Sequence, residues 1–549
     1  MKSSAIAILL AFAGTSQVMA AQVSCPMVTL SGTLSNRTLD ADTTYLLSGC
    51  VSVPSGVTIT AQAGVVIRGE KSSSGNLVFR KGSKFISQGT SALPVIFTSD
   101  QVAGDQNPGD WAGLVFEGDA PNNNSNSITL TNRTCTSVTG GGTSQHDSSG
   151  VLKFLRIEYA QNSLTLLSVG DKTEMHDIQI SSAANNGLEL YGGTVNFKRM
   201  VFLNNYGYDI LATYGNRSKA QQILSVRLDN NAHLGSDVSS IVFKNNDNAP
   251  SYAGATASVN THPIFSNVTL IGPKYCGAST ISGNFKNAIL MTNNTEGGIY
   301  NSYIDGWPTG YRIEGTAAVQ NANNNGSILF NYNSFYNNVS ASYSSTTWST
   351  GCETSIGNWL TSTLNSCDQQ GIETGVSMGY SATVCGSYSS SAPDFSLSSS
   401  SVSSPDFTLD ELSDNSSFFT ATTLRGAFDS EDWTSGWVNW YPTGSDYCVQ
   451  NRGMVGTAIK NVTTGNSALL LAPNPATGIT YASFSTEDAG TVHITVTNSL
   501  GQTVRSMEQP VLKGSQRIAI PTDGLSVGMY LINVNNDKGS AQHARLIVK

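Results

Sequence analysis

Between Val151 and Tyr214 short apolar triplets keep returning: Leu155-Arg156-Ile157, Leu164-Thr165-Leu166, Ile178-Gln179-Ile180, Leu188-Glu189-Leu190, Val195-Asn196-Phe197 and Val201-Phe202-Leu203. Each alternates with a period of two, as a strand with one face in a core requires, and Gly, Asn and Ser fill the gaps. Equivalent triplets recur at about two dozen residues or slightly fewer, the period of a chain winding round a prism with three short strands per turn. The expected fold class is all-β: a right-handed parallel β-helix followed by a small immunoglobulin-like β-sandwich.

Composition agrees. Charged residues make up 12% of the 549 residues, against roughly 25% in ordinary globular chains. Ser, Thr, Asn and Gly take their place, which suits stacked strands joined by polar turns. A formal net charge of −9 offers no basic face for nucleic acid, so that partner is not expected. Met1–Ala20 reads as a secretory signal, with Lys2 at its start, an apolar stretch over Ala5–Gly14 and a Val18-Met19-Ala20 cleavage site. No later run approaches the about 18 apolar residues of a transmembrane helix.

The solenoid is expected over residues 22–345. The segments CVSVPSG, VTITAQAG, LVFRKGS and PVIFTSD open it, and Gly109–Phe116 continues it. Residues 120–150 are too polar and Gly-rich for core and read as a surface insertion; long loops on rigid scaffolds often bind. Residues 247–261 read as a second such loop. Asn pairs follow several strands (Asn204-Asn205, Asn245-Asn246, Asn293-Asn294, Asn337-Asn338) and are read as left-handed turn residues. Residues 346–450 are a Cys- and aromatic-rich closing segment, whose Trp433, Trp437 and Trp440 are expected to plug the end of the core. Residues 451–472 read as a linker, and 473–549 as a compact sandwich of about six short strands.

Eight cysteines in an exported chain imply disulfides: Cys25, Cys50, Cys135, Cys276, Cys352, Cys367, Cys385 and Cys448. Proximity favours Cys25–Cys50 and Cys352–Cys367, then Cys385–Cys448, which leaves Cys135–Cys276. No pair has the C-x-x-C spacing of a zinc or redox site.

The tail closely resembles the type A sorting domain of the bacterial type IX secretion system. The matching residues are Pro473-Asn474-Pro475, Asn498-Ser499-Leu500-Gly501, Leu512-Lys513-Gly514, Leu525–Tyr530 with Gly528 and Tyr530, and the basic end Arg545–Lys549. The resemblance implies delivery by that secretion machinery across the outer membrane, and release or attachment to surface lipopolysaccharide. Residues 37–442 resemble a family of exported repeat proteins, through Gly109–Val115, Ser149–Tyr159, Tyr191–Asn196, Ile264–Gly272 and Arg425–Pro442. That family carries no assigned catalytic residues. Of the acids it often clusters around the Gly-Gly-Thr-Val-Asn stretch, only Glu189 and Asp209 are present here, so a cation site there is expected to be lost.

Two functions remain open on sequence. The first is non-catalytic adhesion, or glycan or partner binding, through the loops at 120–150 and 247–261. The alternative is a polysaccharide lyase or glycoside hydrolase using Glu158, Asp177, Glu189 and Asp209, with Lys153, Lys198, Arg199 or Arg227 as charge partner. The plain reading of those acids is as solvated positions on the outer pleat. No cofactor is expected; Ca²⁺ is the one cation that convergent acids would admit. The six histidines show no metal-ligand spacing.

Overall fold

The computed structural model describes residues 27–548 except 132–136, 229–236, 247–259, 279, 338–342, 345–347, 349–350, 362–369, 387, 389–391, 398, 414–417, 446, 448–468, 487, 499–501 and 537–540. The signal stretch Met1–Ala20, most of the 247–261 loop and most of the 451–472 linker lie outside the described residues, as do Gly501 and Lys549. The chain forms two compact units, one ending at Thr457 and one beginning at Ala458.

The first unit is a parallel β-helix. Its strands stack in three columns. The first runs through Thr44–Val53, Val66–Gly69 and Val95–Ser99, then the ends of Gly150–Glu158, Glu174–Ser181, Phe197–Leu203, Lys219–Val226 and Ile264–Ile271. The second passes through Asn76–Phe79, Gly113–Glu117, Leu164–Leu167, Leu188–Tyr191, Ile210–Thr213 and Val238–Lys244. The third starts with the short strands Arg37–Leu39, Thr58–Ala61 and Lys84–Ser87 and continues in the beginnings of the long strands from Gly150–Glu158 onward, so that from there one strand bends through two columns. The bend is a single residue with positive φ: Phe154, Asp177, Arg199, Gln222, Asn267, Asn301 and Tyr332 occupy it on successive turns, with φ between 46° and 62°. Side chains rarely adopt this left-handed conformation, and five of the seven are neither Asn nor Gly. The alternating triplets supply one unbroken core, in which Phe79 stacks on Phe116 at 4.5 Å and Tyr311 on Phe330 at 4.1 Å.

Gly193 shows why a glycine is required in the Gly-Gly-Thr-Val-Asn stretch. Its φ is +79°, and a Cβ there would lie 2.4 Å from the Val169 carbonyl oxygen.

The closing segment departs from expectation. Trp433, Trp437 and Trp440 do not plug the end of the core. The described residues between Met378 and Trp440 lie along the flank of the solenoid and build a second hydrophobic core against the outer face of the first column, with Val201, Leu203, Leu224, Val226 and Ile271 beneath it, and Tyr447 packs on Val66 and Ile96. Each buried aliphatic is worth roughly 1.5–3 kcal/mol. The reason is in the strands themselves. Met200-Val201-Phe202-Leu203 is apolar on both faces, and a strand of that kind must be covered on both. The aromatic packing at the far end comes instead from Trp359, which stacks on Tyr311 and packs against Trp348. The solenoid also runs past residue 345, since Glu373–Thr374 pairs with Ser334–Tyr336.

Three side-chain amides hold this cover, each bonding to both backbone groups of one cover residue. Gln179 donates to the Asn439 carbonyl (2.6 Å) and accepts its N–H (2.7 Å). Gln221 does the same with Thr420 (2.6 and 2.9 Å), and Asn301 with Asp406 (2.8 and 2.8 Å). These residues stand in for a neighbouring strand and satisfy backbone groups that a buried loop would otherwise leave unpaired.

The disulfide pattern is a further correction. Cys276 pairs with Cys385, with Cα atoms 5.5 Å apart, so neither Cys385–Cys448 nor Cys135–Cys276 forms. The cover folds back across the turn that follows Ile264–Ile271 and brings Cys385 to Cys276, a proximity in space that sequence distance does not show. Cys50 and Cys352 are also disulfide-bonded. Cys25, Cys135, Cys367 and Cys448 lie outside the described residues.

The second unit is a seven-stranded β-sandwich. Beyond the expected strands it contains Leu470–Thr477, which carries Pro473-Asn474-Pro475. Proline argues against strand, but the register slips between Ala472 and Thr477, and the prolines sit in that irregularity.

Gln179→Ala is expected to cost about 1–3 kcal/mol by leaving the Asn439 backbone unpaired, and to speed amide hydrogen exchange there before the solenoid strands open. Non-reducing peptide mapping is expected to recover Cys276 joined to Cys385.

Candidate functional site: the corner cluster around His176

The four acids singled out from sequence are all buried, and they do not converge. Glu158 faces outward from the first column but lies under the cover. Its Oε1 accepts from the Tyr447 hydroxyl (2.8 Å) and its Oε2 from Thr98 Oγ1 (3.0 Å). Burial raises its pKa above the usual carboxylate range, against the opposing pull of Arg156 and these donors. Glu189 stands in the second column, where Thr165 Oγ1 (2.8 Å) and Asn186 Nδ2 (2.9 Å) donate to it. Asp209 lies within the solenoid. Asn205, Ser225 and Ser240 donate to it, and Arg227 pairs with it at 2.7 Å, both partners 1% exposed. Ser225 takes an inward place between Phe202 and Leu270, so this polar knot interrupts the apolar stack. The reading of all four as solvated outer positions is therefore corrected: Glu158, Asp177, Glu189 and Asp209 are at most 3% exposed.

Asp177 meets an open surface through its partners His176 and Arg199. It sits at the left-handed corner, one turn from Arg199 in the same corner position, and stacking places the two side by side. Arg199 grips it through Nε (2.5 Å) and Nη2 (2.7 Å), the paired geometry in which guanidinium matches carboxylate. His176 Nδ1 lies 2.5 Å from Asp177 Oδ2, and its Nε2 lies 3.1 Å from Glu174 Oε1. Lys153 approaches Glu174 at 3.7 Å. Burial alone would raise the Asp177 pKa, but Arg199 and His176 outweigh it and hold the carboxyl below its ordinary value.

This cluster can hold a charged or hydrogen-bonding group at a rigid wall. Arg199 and Asp177 were recognisable as charges in the sequence; Glu174 and His176 were missed as members. The missed signal was register, since Lys153, His176 and Lys198 pair in one row of the third column. Of the remaining histidines, His146 pairs with Asp171 and His262 with Glu296. Among the described residues no group of three or more His, Cys, Asp and Glu side chains is placed to hold a metal ion.

The 120–150 insertion is also less free than its composition suggests. Ile128–Leu130 and Val138–Gly140 form a hairpin that packs on Val78, Val115 and Leu167. Asn123, buried, donates to Asn245.

A solenoid of this build defines a parallel β-helix protein, here followed by a small β domain. Residues 32–379 match the pectate-lyase-like β-helix domain, and the chain belongs to that family. Residues 471–549 match the secretion system C-terminal sorting domain, the tail that directs export across the outer membrane to the cell surface or the extracellular space and that engages the type IX machinery. Among solved structures, the enzymatically active domain of tailspike protein 2 from bacteriophage CBA120 is 10% identical, with 96% of this chain and 77% of that chain covered and a TM-score of 0.17, a likeness too slight to carry an argument. No curated protein matches the chain.

Two acids should leave opposite marks on stability against pH. Asp177, with its lowered pKa, contributes stability that is present above the unfolded value and lost as pH falls through the folded one. Asp177→Asn is expected to cost roughly 1–2 kcal/mol near pH 7, discounted because Arg199 is a third exposed, and to flatten the acid limb of the curve. Glu158, with its raised pKa, binds its proton more tightly when folded, so its contribution falls as pH rises from the unfolded value through the folded one. Glu158→Gln is expected to remove that fall and to be neutral or stabilising near pH 7. Urea unfolding across the acid-to-neutral range reads both.

Proposed function

We propose that this protein is a non-catalytic glycan-binding protein, displayed on the cell surface or released from it, that engages its ligand through the corner wall around His176. The observation that carries this reading is the state of the acids. Glu158, Glu189 and Asp209 are each enclosed by donors of their own chain, and no two of the four candidate carboxylates face one another across open space. Hydrolysis of a glycosidic bond needs two such groups flanking the substrate. A rigid wall of half-exposed charges suits recognition instead, because little side-chain freedom is lost on binding. Attachment to surface lipopolysaccharide after tail removal is the companion proposal for how the protein is retained.

One observation favours the rival, a polysaccharide lyase or hydrolase. His176 sits between two carboxylates beside Arg199, an arrangement able to move a proton. A glycan array run beside a reducing-end assay on common polysaccharides separates the two. The expected result is glycan retention without product, and retention lost in His176→Ala. Sugar release abolished by His176→Ala or Glu189→Ala would replace binding with catalysis.

A further inference from the structure

A second buried acid lies under the cover, far along the solenoid from Glu158. Asp305 ends the strand Tyr303–Asp305, one rung beyond Ile271 on the outer face of the first column, and is fully buried. The Tyr303 hydroxyl donates to its Oδ2 (2.7 Å). Asn337 also faces the carboxyl, but Oδ1 is buried without a hydrogen bond. A carboxylate taken out of water needs a cation or a full set of donors to hold its charge.

The titratable groups around Asp305 are tyrosines. Tyr303 lies on its own strand, Tyr275 on the turn after Ile264–Ile271 and Tyr380 on the cover. Tyr336 pairs with Asp305 in register on the next rung. Among the described residues no cation pairs with it. Arg425 of the cover bonds to Ser334 and lies 3.9 Å from Glu373. Arg227, over the Trp307 ring, is committed to Asp209. Lys274, beside Tyr275, forms no ion pair with Asp305. Burial pushes the Asp305 pKa up from 3.8 to about 6, against the hydrogen bonds of Tyr303 and Asn337.

One hydroxyl joins this acid to the cover. Tyr303 Oη, which donates to Asp305, accepts the Met378 N–H (3.0 Å). Tyr380 shares a hydrogen bond with Thr269 (3.2 Å), and its ring meets the Tyr303 ring edge-on. Met378 and Tyr380 are buried, whereas Ser377 and Gly379 beside them are exposed. The stretch Ser377–Cys385 is tied at both ends. Glu373–Thr374, just before it, pairs with the solenoid, and the Cys276–Cys385 disulfide closes it.

We propose that Ser377–Cys385 is an acid-closed flap: with Asp305 protonated it lies against the solenoid, and ionisation of Asp305 lifts Met378 and Tyr380 outward between the two anchors, so that water reaches the carboxylate. Hydration of the new charge drives the opening, and the anchors keep it local. The closed flap holds the proton more tightly than the open one. Closure is therefore strongest below the ordinary value of 3.8 and weakens as pH rises through about 6.

The test follows amide hydrogen exchange in the full chain from about pH 4.5 to about pH 7.5, with each rate corrected for the intrinsic pH dependence of exchange. The Met378 amide is expected to lose protection by about tenfold or more across this range. The Thr420 amide, held on the cover by Gln221, is expected to keep its protection. Asp305→Asn, which cannot ionise, is expected to show at the higher pH the Met378 protection that the unaltered chain shows at the lower. Constant Met378 protection in the unaltered chain, an equal loss at Thr420, or a pH dependence that survives in folded Asp305→Asn would each overturn the proposal. Where Asp305→Asn does not fold, the contrast between Met378 and Thr420 in the unaltered chain decides alone.

Discussion

The whole structure depends on rung-over-rung stacking, and stacking depends on a bend made by one residue. Where the chain passes from the third column to the first, a single left-handed residue turns it on each of seven successive turns, from Phe154 to Tyr332. A one-residue corner leaves no slack. It holds every rung in the same register, so the side chains before and after it form straight rows. Inward rows become the core. Outward rows become either a surface or a second core. The corner itself becomes a line of side chains whose left-handed backbone is held by the tertiary structure against its local cost.

That geometry explains how distant residues come to share a site. Asp177 and Arg199 meet because both are corner residues on adjacent turns, and His176 joins them from the row beside the corner. The same geometry lets the cover dock. Gln179, Gln221 and Asn301 reach outward on different turns, and each meets one residue of a chain that runs along the axis. Covering the first column buries Glu158 and removes it from any surface role. The candidate binding wall therefore lies beside the cover, where Lys198 touches Phe418 and Thr420.

Charge placement follows the same division. Asp209 and Arg227 neutralise each other inside the solenoid, with Ser225 and Ser240 completing the acceptor's partners. A buried pair of this kind is weak evidence for net stability; its effect here is to leave no charge available at that position. On the wall the balance is different, because among the described residues no carboxylate pairs with Lys198, which instead meets Thr420 and Phe418.

The sequence by itself determined the solenoid, the separate sandwich and the export tail. An alternation of period two, repeated at a constant interval, admits few other folds, and the tail motifs are specific in combination. It also contained, unread, the reason for the cover: Met200–Leu203 has no polar face. What only the tertiary structure decided is which acids are open, which cysteines meet and where the tryptophans lie. Glu158 and Asp177 look alike as isolated acids in an alternating strand, and only docking of residues 378–447 buries one and leaves the partners of the other exposed. Cys276 and Cys385 are 109 positions apart, and only the cover's return path brings them together. Local pattern sets how a strand faces its own core. Which outward rows are covered depends on a segment far along the chain, and that is settled only when the whole chain is folded.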